Sequence, residues 1–240
     1  MAILYVVATP IGHLEDVTSR ALEILRGVDL ILCEDTRRTQ KLLNHFDIRT
    51  KTLSYHQHSK LKKIKYILEL LKKGKNLALV SDAGTPGISD PGNKLIEEVV
   101  KLLSDRVRIV PVPGASALTA AASISGFPMD KFLFLGFPPA KRKRKKYFEE
   151  VIKSKYPVIF YESPHRILKT LNELNQMFQV FHPAPEQSSV QGKGSKFQVV
   201  VCRELTKKFE TVYRGTIEEV IEKIKKDKIK GELVVILKNK

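Results

Sequence analysis

Apolar residues in this chain fall into short runs, separated by longer stretches with a helical period. The runs 3–8, 30–33 and 77–80 are almost unbroken, as expected of strands buried on both faces of a parallel sheet. Residues 107–110 form a fourth strand-like run. Between them, Val17, Ala21, Ile24 and Leu25 share one helical face closed by Gly27, and residues 36–46 continue the alternation with a second helix. A third helix is predicted over 60–73, with Leu61, Ile64, Ile67, Leu68 and Leu71 on one side and Gly74 after it. Asp90 is expected to cap a fourth, with Pro91 in its first turn. Such β–α alternation predicts a mostly parallel sheet.

Prolines at 111 and 113 punctuate the chain. Beyond them the pattern predicts a small-sided helix over 115–125, a strand over 132–137, a basic helix over 141–153 and a strand over 158–161. Ser163 is expected to cap a helix opened by Pro164. Strands are predicted over 197–202 and 232–237, with a helix between them started by a capping box of Thr216 and Glu219. The fold class is therefore α/β, with two α/β lobes, residues 1–113 and 114–240. The Pro-, Ser-, Gln- and Gly-rich stretch 183–196 reads as a surface loop.

Charge changes this picture most. Lys and Arg number 42 against 26 Asp and Glu, a net +16 that favours capture of polyanions such as nucleic acid. Lysines such as Lys62, Lys63, Lys65, Lys72 and Lys73 are equally explained as solvated helix faces. No apolar run approaches the ~18 residues of a membrane helix, so a cytoplasmic location without membrane contact is expected. Cys33 and Cys202 are far apart and belong to no CxxC pair; buried thiols are the simpler reading.

Familiar nucleotide signatures are missing. No GxGxxG follows a strand, and Asn93 stands where a P-loop spaced on Gly87 and Gly92 requires lysine. Five small-residue turns follow strands instead: TPIG at 9–12, EDTRR at 34–38, SDAGTPGISDPG at 81–92, PVPGAS at 111–116 and ESPHR at 162–166. Open α/β sheets bind ligands at such strand ends, and five turns that also carry charged or hydroxyl groups exceed what turn formation alone requires.

Together with LYVVATPIGHLEDVTSRAL at 4–22, CEDTRRTQKLLNHF at 33–46, FLFLGFPP at 132–139, FYESPHRI at 160–167 and RELTKKFE at 203–210, these motifs resemble the small-subunit ribosomal RNA methyltransferases that modify a cytidine ribose 2′-oxygen, within the tetrapyrrole (corrin/porphyrin) methylase superfamily. The resemblance spans nearly the whole chain. It implies two α/β domains that bind S-adenosylmethionine in the cleft between them, usually as a homodimer, with small-subunit ribosomal RNA or the assembled small subunit as partner. His13 and Cys33 depart from the family's usual asparagine and alanine.

The resemblance implies that Asp82, with Ala83, Gly84 and Thr85, lies against the cofactor. Ser116 and Ala117 at a helix start, with Pro10, Phe160 and Tyr161 as walls and Gly231 as a weaker candidate, complete that set. Glu34 and Asp35 are the first candidates for the base that removes the hydroxyl proton, with Arg37 beside them in the catalytic group and Arg38 on phosphate. Asp35 is equally well read as a helix cap. Glu162 and His165 are second candidates for the base. Tyr55, His56 and His58, and the run Lys141, Arg142, Lys143, Arg144, Lys145 and Lys146, are expected to contact RNA. His56 and His58 lack an evident third ligand, and no metal is expected. A tetrapyrrole-type small-molecule methylase and a non-catalytic RNA-binding protein are the competing readings.

Overall fold

The computed structural model describes residues 1–56, 61–181 and 197–239. They form two compact units, Met1–Ser116 and Ala117–Lys240.

The first unit contains β1 (Ala2–Val7), α1 (Ser19–Gly27), β2 (Leu30–Cys33), α2 (Thr36–His45), β3 (Thr52–Ser54), α3 (Leu61–Lys72), β4 (Leu77–Leu79), α4 (Asn93–Leu103) and β5 (Val107–Val112). Its sheet has the order β3-β2-β4-β1-β5, and every pair is parallel. Alternation along the strands separates two cores. Ile31, Cys33, Ala78 and Val80 pack with Ala21 and Leu25 of α1 and Leu43 of α2. Leu4, Leu32, Leu77 and Leu79 pack with Ile64, Ile67, Leu68 and Leu71 of α3 and Leu95, Val99 and Leu103 of α4. The unit is thus a helix–sheet–helix sandwich, which is why its strands read as apolar runs.

This arrangement fixes where a ligand site belongs. The chain leaves β1 through α1 to reach β2, on one face of the sheet; it leaves β4 through α4 to reach β5, on the opposite face. Neighbouring strands with diverging exits create a topological switch point at their C-terminal ends. The turns after β1 and β4 stand there.

Helix starts differ in instructive ways. Thr18 caps α1 and Asp35 caps α2 by accepting from backbone amides. Helix α4 begins at Asn93 with Gly92 as its N-cap, so the expected start at Asp90 and Pro91 is corrected. Gly87 (φ 84°) and Gly92 (φ 148°) hold the preceding turn in backbone conformations that L side chains rarely adopt, and Asn93 Nδ2 donates to the Gly87 carbonyl at 3.1 Å.

The second unit contains α5 (Ala117–Ile124), β6 (Leu133–Phe134), α6 (Arg144–Lys153), β7 (Val158–Glu162), α7 (Ile167–Phe181), β8 (Phe197–Arg203), β9 (Thr211–Thr216), α8 (Ile217–Lys225) and β10 (Leu233–Asn239). The sheet order is β6-β7-β10-β8-β9; β6 and β7 are parallel, the remaining pairs antiparallel. Helices α6, α7 and α8 share one core with the sheet, including Phe148, Phe160, Leu171, Val201, Val220 and Val235. Strand β9 escapes the apolar pattern because only Val212 and Tyr213 interrupt its polar residues and Gly215. Its last residue, Thr216, forms the anticipated capping box with Glu219. Both cysteines are buried free thiols, and burial pushes the Cys202 thiol up to about 11.

Candidate functional site

Four of the five turns meet in the first unit. Thr9 and Gly84 exchange two backbone hydrogen bonds of 2.9 Å, tying the turn after β1 to the turn after β4. Thr9 Oγ1 donates to the Ser81 carbonyl at 3.2 Å, and Ser81 Oγ lies 3.2 Å from the Gly84 carbonyl. Thr85 Oγ1 donates to the Ala115 carbonyl at 3.3 Å, which brings in the turn after β5. Asp82 Oδ1 accepts the Asp35 amide at 3.0 Å and Oδ2 lies 3.3 Å from Arg38 Nη1, which brings in the turn after β2. Asp82 is therefore a brace between turns as well as a partly exposed carboxylate. Pro10 is buried beside them.

Small residues make this convergence possible. A Cβ on Gly114 would stand 3.0 Å from the Ala8 Cβ; one on Gly84 would stand 3.4 Å from Ile11 Cγ2 and 3.7 Å from the Ala115 carbonyl oxygen. Gly84 also has φ 81°. Gly84→Ala is expected to cost more than about 1 kcal/mol, since alanine at positive φ is strained whatever the space. Urea unfolding of the variant checks this.

Asp35 behaves as the cap. Its Oδ1 accepts the Arg37 amide at 2.8 Å, and Oδ2 pairs with Arg37 Nη2 at 2.9 Å. The Arg37 side chain, helped by that amide, holds the Asp35 carboxyl at about 2, against an ordinary 3.8. A group so acidic is a poor proton acceptor near neutral pH. The folded value is depressed, so its stabilising contribution is present above the unfolded pKa and is lost as pH falls through about 2. Arg37 is itself engaged with Asp35. Glu34, half-buried at the end of β2, has no hydrogen bond or ion pair of its side chain among the described residues.

The fifth turn belongs to the second unit. Glu162 is fully buried: Oε1 pairs with Arg166 Nη2 at 2.7 Å and accepts the Ser163 amide at 2.7 Å, while Oε2 accepts from Thr170 Oγ1 at 2.6 Å. Thr170 Oγ1 also accepts from Arg144 Nη2 at 2.6 Å, and Arg144 Nε pairs with Glu173 at 2.7 Å. Both arginines reach the preceding loop, Arg166 donating to the Pro138 carbonyl and Arg144 to the Pro139 carbonyl, each at 3.1 Å. The Glu162 carboxylate is thus fully occupied, which argues against its use as a base. Helix α7 starts at Ile167, beyond the expected opening at Pro164.

Three expectations are corrected by burial. Phe160 has no exposure and belongs to the core, so its ring is not a ligand wall; Tyr161, the next residue along the strand, instead packs edge-on against Phe134. Tyr55 is buried in the first unit's core, out of reach of RNA. Arg144 is buried with its guanidinium over the Phe148 ring, so it leaves the group of RNA contacts. The basic run is not one helix face: Lys143 has φ 65° and α6 begins only at Arg144, leaving Lys141, Arg142, Lys143, Lys145 and Lys146 exposed around a turn. Arg144→Ala is expected to destabilise by about 3–5 kcal/mol, and Lys145→Ala by less than about 0.5 kcal/mol. Paired urea titrations separate the two.

Other positions are placed as follows. His56 is exposed, with Nε2 2.9 Å from Ser54 Oγ, and His58 lies outside the described residues, as does the 183–196 stretch. His13 Nδ1 accepts the Glu15 amide at 3.2 Å, the capping role an asparagine side chain would fill. A Cβ on Gly231 would overlap the Glu204 side chain, which locks the 203–210 motif to the start of β10 through the Glu232 amide. Lys207 bridges Glu204 and Glu232 at 3.0 and 2.8 Å. Among the described residues, no group of three or more His, Cys, Asp or Glu is placed to hold a metal ion. Sequence reasoning did not foresee the Arg38–Asp82 pair or the Arg144–Glu173 pair, because neither follows a local spacing rule.

The switch-point site and the two sheets match a known class. The family model of the tetrapyrrole (corrin/porphyrin) methylases covers residues 3–221, and the chain belongs to that family. Similar folds include the methyltransferase CobJ, with a TM-score of 0.68 at 17% identity over 100% of this chain and 95% of that one. Diphthine synthase also has a TM-score of 0.68, at 14% identity over 99% and 90% of the two chains. Curated relatives are much more similar in sequence. The chain is 43% identical to Ribosomal RNA small subunit methyltransferase I of Thermotoga maritima, over 100% of both chains. It is 44% identical to the protein of the same name from Halalkalibacterium halodurans, over 98% of this chain and 75% of the relative.

Proposed function

We propose that this protein is an S-adenosylmethionine-dependent methyltransferase that methylates the ribose 2′-hydroxyl of a cytidine in small-subunit (16S) ribosomal RNA, in the cytoplasm and as a homodimer. The observation that carries the reading is the convergence of four turns at the switch point of the first sheet, in a chain 43% identical over its full length to a protein named Ribosomal RNA small subunit methyltransferase I. The +16 charge suits a polyanionic substrate. No described helix is long and apolar enough to cross a membrane.

The residues fit the cofactor. The small residues Gly84, Gly114 and Ala8 bring the turns close together, and beside them the partly exposed Asp82 offers negative charge for a cation. Ala83, Thr85 and Ser116, partly exposed like Asp82, are the residues proposed to hold it; Gly84 and Pro10 are buried and support the turns behind them. When bound, S-adenosylmethionine supplies an activated methyl group on a sulfonium. The chain's own contribution is placement and proton removal. We assign the proton to a Glu34 carboxylate oxygen, because Asp35 is committed to the helix and to Arg37. Arg38, held by Asp82, and the exposed lysines around 141–146 would steer and hold phosphates.

The test is transfer of labelled methyl from S-adenosylmethionine to small ribosomal subunits that lack the modification. Label in the RNA is expected. Label only in protein, or none from enzyme that binds the cofactor, would overturn the substrate assignment.

A further inference from the structure

A groove of about 450 Å³ lies between α2 and the edge strand β3, lined by Thr36, Arg37, Gln40, Lys41, Asn44 and Thr52. Its helical wall is built by spacing: Thr36, Gln40 and Asn44 recur every four residues, and Arg37 and Lys41 form the adjoining row. Every lining side chain can hydrogen-bond, two carry positive charge and none is acidic. Asp35, just outside, neutralises Arg37. Lys41 is exposed and has no ion pair among the described residues.

The amides give the groove a specific chemistry. Gln40 Nε2 donates to Asn44 Oδ1 at 2.7 Å. That bond leaves the Gln40 Oε1 acceptor and the Asn44 Nδ2 donor for a ligand. A paired acceptor and donor on a rigid helix suits the hydrogen-bonding edge of an unstacked base, the form in which proteins read RNA sequence. The groove also adjoins the candidate base, since Thr36 and Arg37 follow Glu34 and Asp35 directly. Helix α2 rises about 1.5 Å per residue, so Gln40 stands only about 7.5 Å along the axis from Asp35.

We propose that the α2–β3 groove holds an unpaired RNA nucleotide next to the one that reacts, its base edge on the Gln40–Asn44 amides and its phosphate on Lys41. The inference rests on the RNA-methyltransferase reading and adds the means by which sequence around the target is recognised.

The test compares Gln40→Ala/Asn44→Ala and Lys41→Gln with wild type, after circular dichroism has shown that the folds match. With small subunits as substrate, the double variant is expected to raise KM about tenfold or more, with kcat and S-adenosylmethionine affinity within about twofold. Lys41→Gln is expected to lower the slope of log affinity against log salt, measured with single-stranded RNA of mixed sequence, by roughly 0.7. Wild-type KM and wild-type salt slope in these variants would overturn the groove while leaving the methyltransferase reading intact. If the wild type transfers no methyl to subunits, that reading fails. The groove is then judged on mixed-sequence RNA alone: weakened binding and the reduced slope support it, and unchanged binding overturns it.

Discussion

Replacing Glu162 with alanine is expected to destabilise the second unit by about 3–5 kcal/mol, the usual cost of removing one partner from a buried ion pair. The carboxylate has no exposure, receives two hydrogen bonds, from Ser163 and Thr170, and pairs with Arg166. Without it, the Arg166 guanidinium loses its anion while still held to the Pro138 carbonyl, and the Thr170 hydroxyl loses its acceptor. Glu162→Gln keeps one acceptor oxygen, enough for the Ser163 amide or the Thr170 hydroxyl but not both, and it keeps the side-chain volume, so a smaller loss is expected. Hydrogen exchange along β7 and α7 in rising urea reads the effect locally. The same variant should loosen the loop before α6, because both arginines that grip it belong to this network. A loss below about 1 kcal/mol in Glu162→Ala would contradict the assignment of the ESPHR turn to structure.

The second large effect concerns catalysis. Glu34→Gln is expected to slow methyl transfer roughly a hundredfold or more, in line with removal of a general base, while leaving cofactor affinity and stability nearly unchanged. Asp35→Asn should be mild by comparison. Asparagine caps helices about as well as aspartate, and a carboxylate held at about 2 by Arg37 is ionised throughout any working pH and takes no proton in the reaction. Any acid limb in the wild-type pH–rate profile should therefore survive Asp35→Asn. Equal, severe losses in both variants would contradict the division of roles.

Much of the first unit is legible in the sequence because burial on both faces leaves a simple mark. Residues 3–8, 30–33 and 77–80 are apolar throughout, and their helices carry one apolar stripe each. The second unit is harder to read. Its sheet is mostly antiparallel, β9 is largely polar, and β6 shrinks to Leu133–Phe134 within a longer apolar stretch. Turn chemistry misleads at α4, where Asp90 and Pro91 have the look of a helix start but Gly87 and Gly92 set the backbone and the helix waits for Asn93. Burial of individual side chains was the least legible property. Phe160 and Tyr161 are equivalent aromatics in sequence, yet strand alternation sends one into the core. Arg144 reads as one more cation in a basic run until Glu173 and Thr170, a helix away, claim it. The turns were visible as motifs; what joined them, the Thr9–Gly84 bridge and the Asp82 contacts, depends on sheet order that no local pattern encodes.

The central claim is tested most directly by nucleoside analysis of small-subunit RNA after incubation with enzyme and S-adenosylmethionine. The account predicts 2′-O-methylcytidine, formed by wild type and nearly absent with Glu34→Gln. Methyl on a base, or no modified nucleoside from enzyme that binds the cofactor, would contradict it.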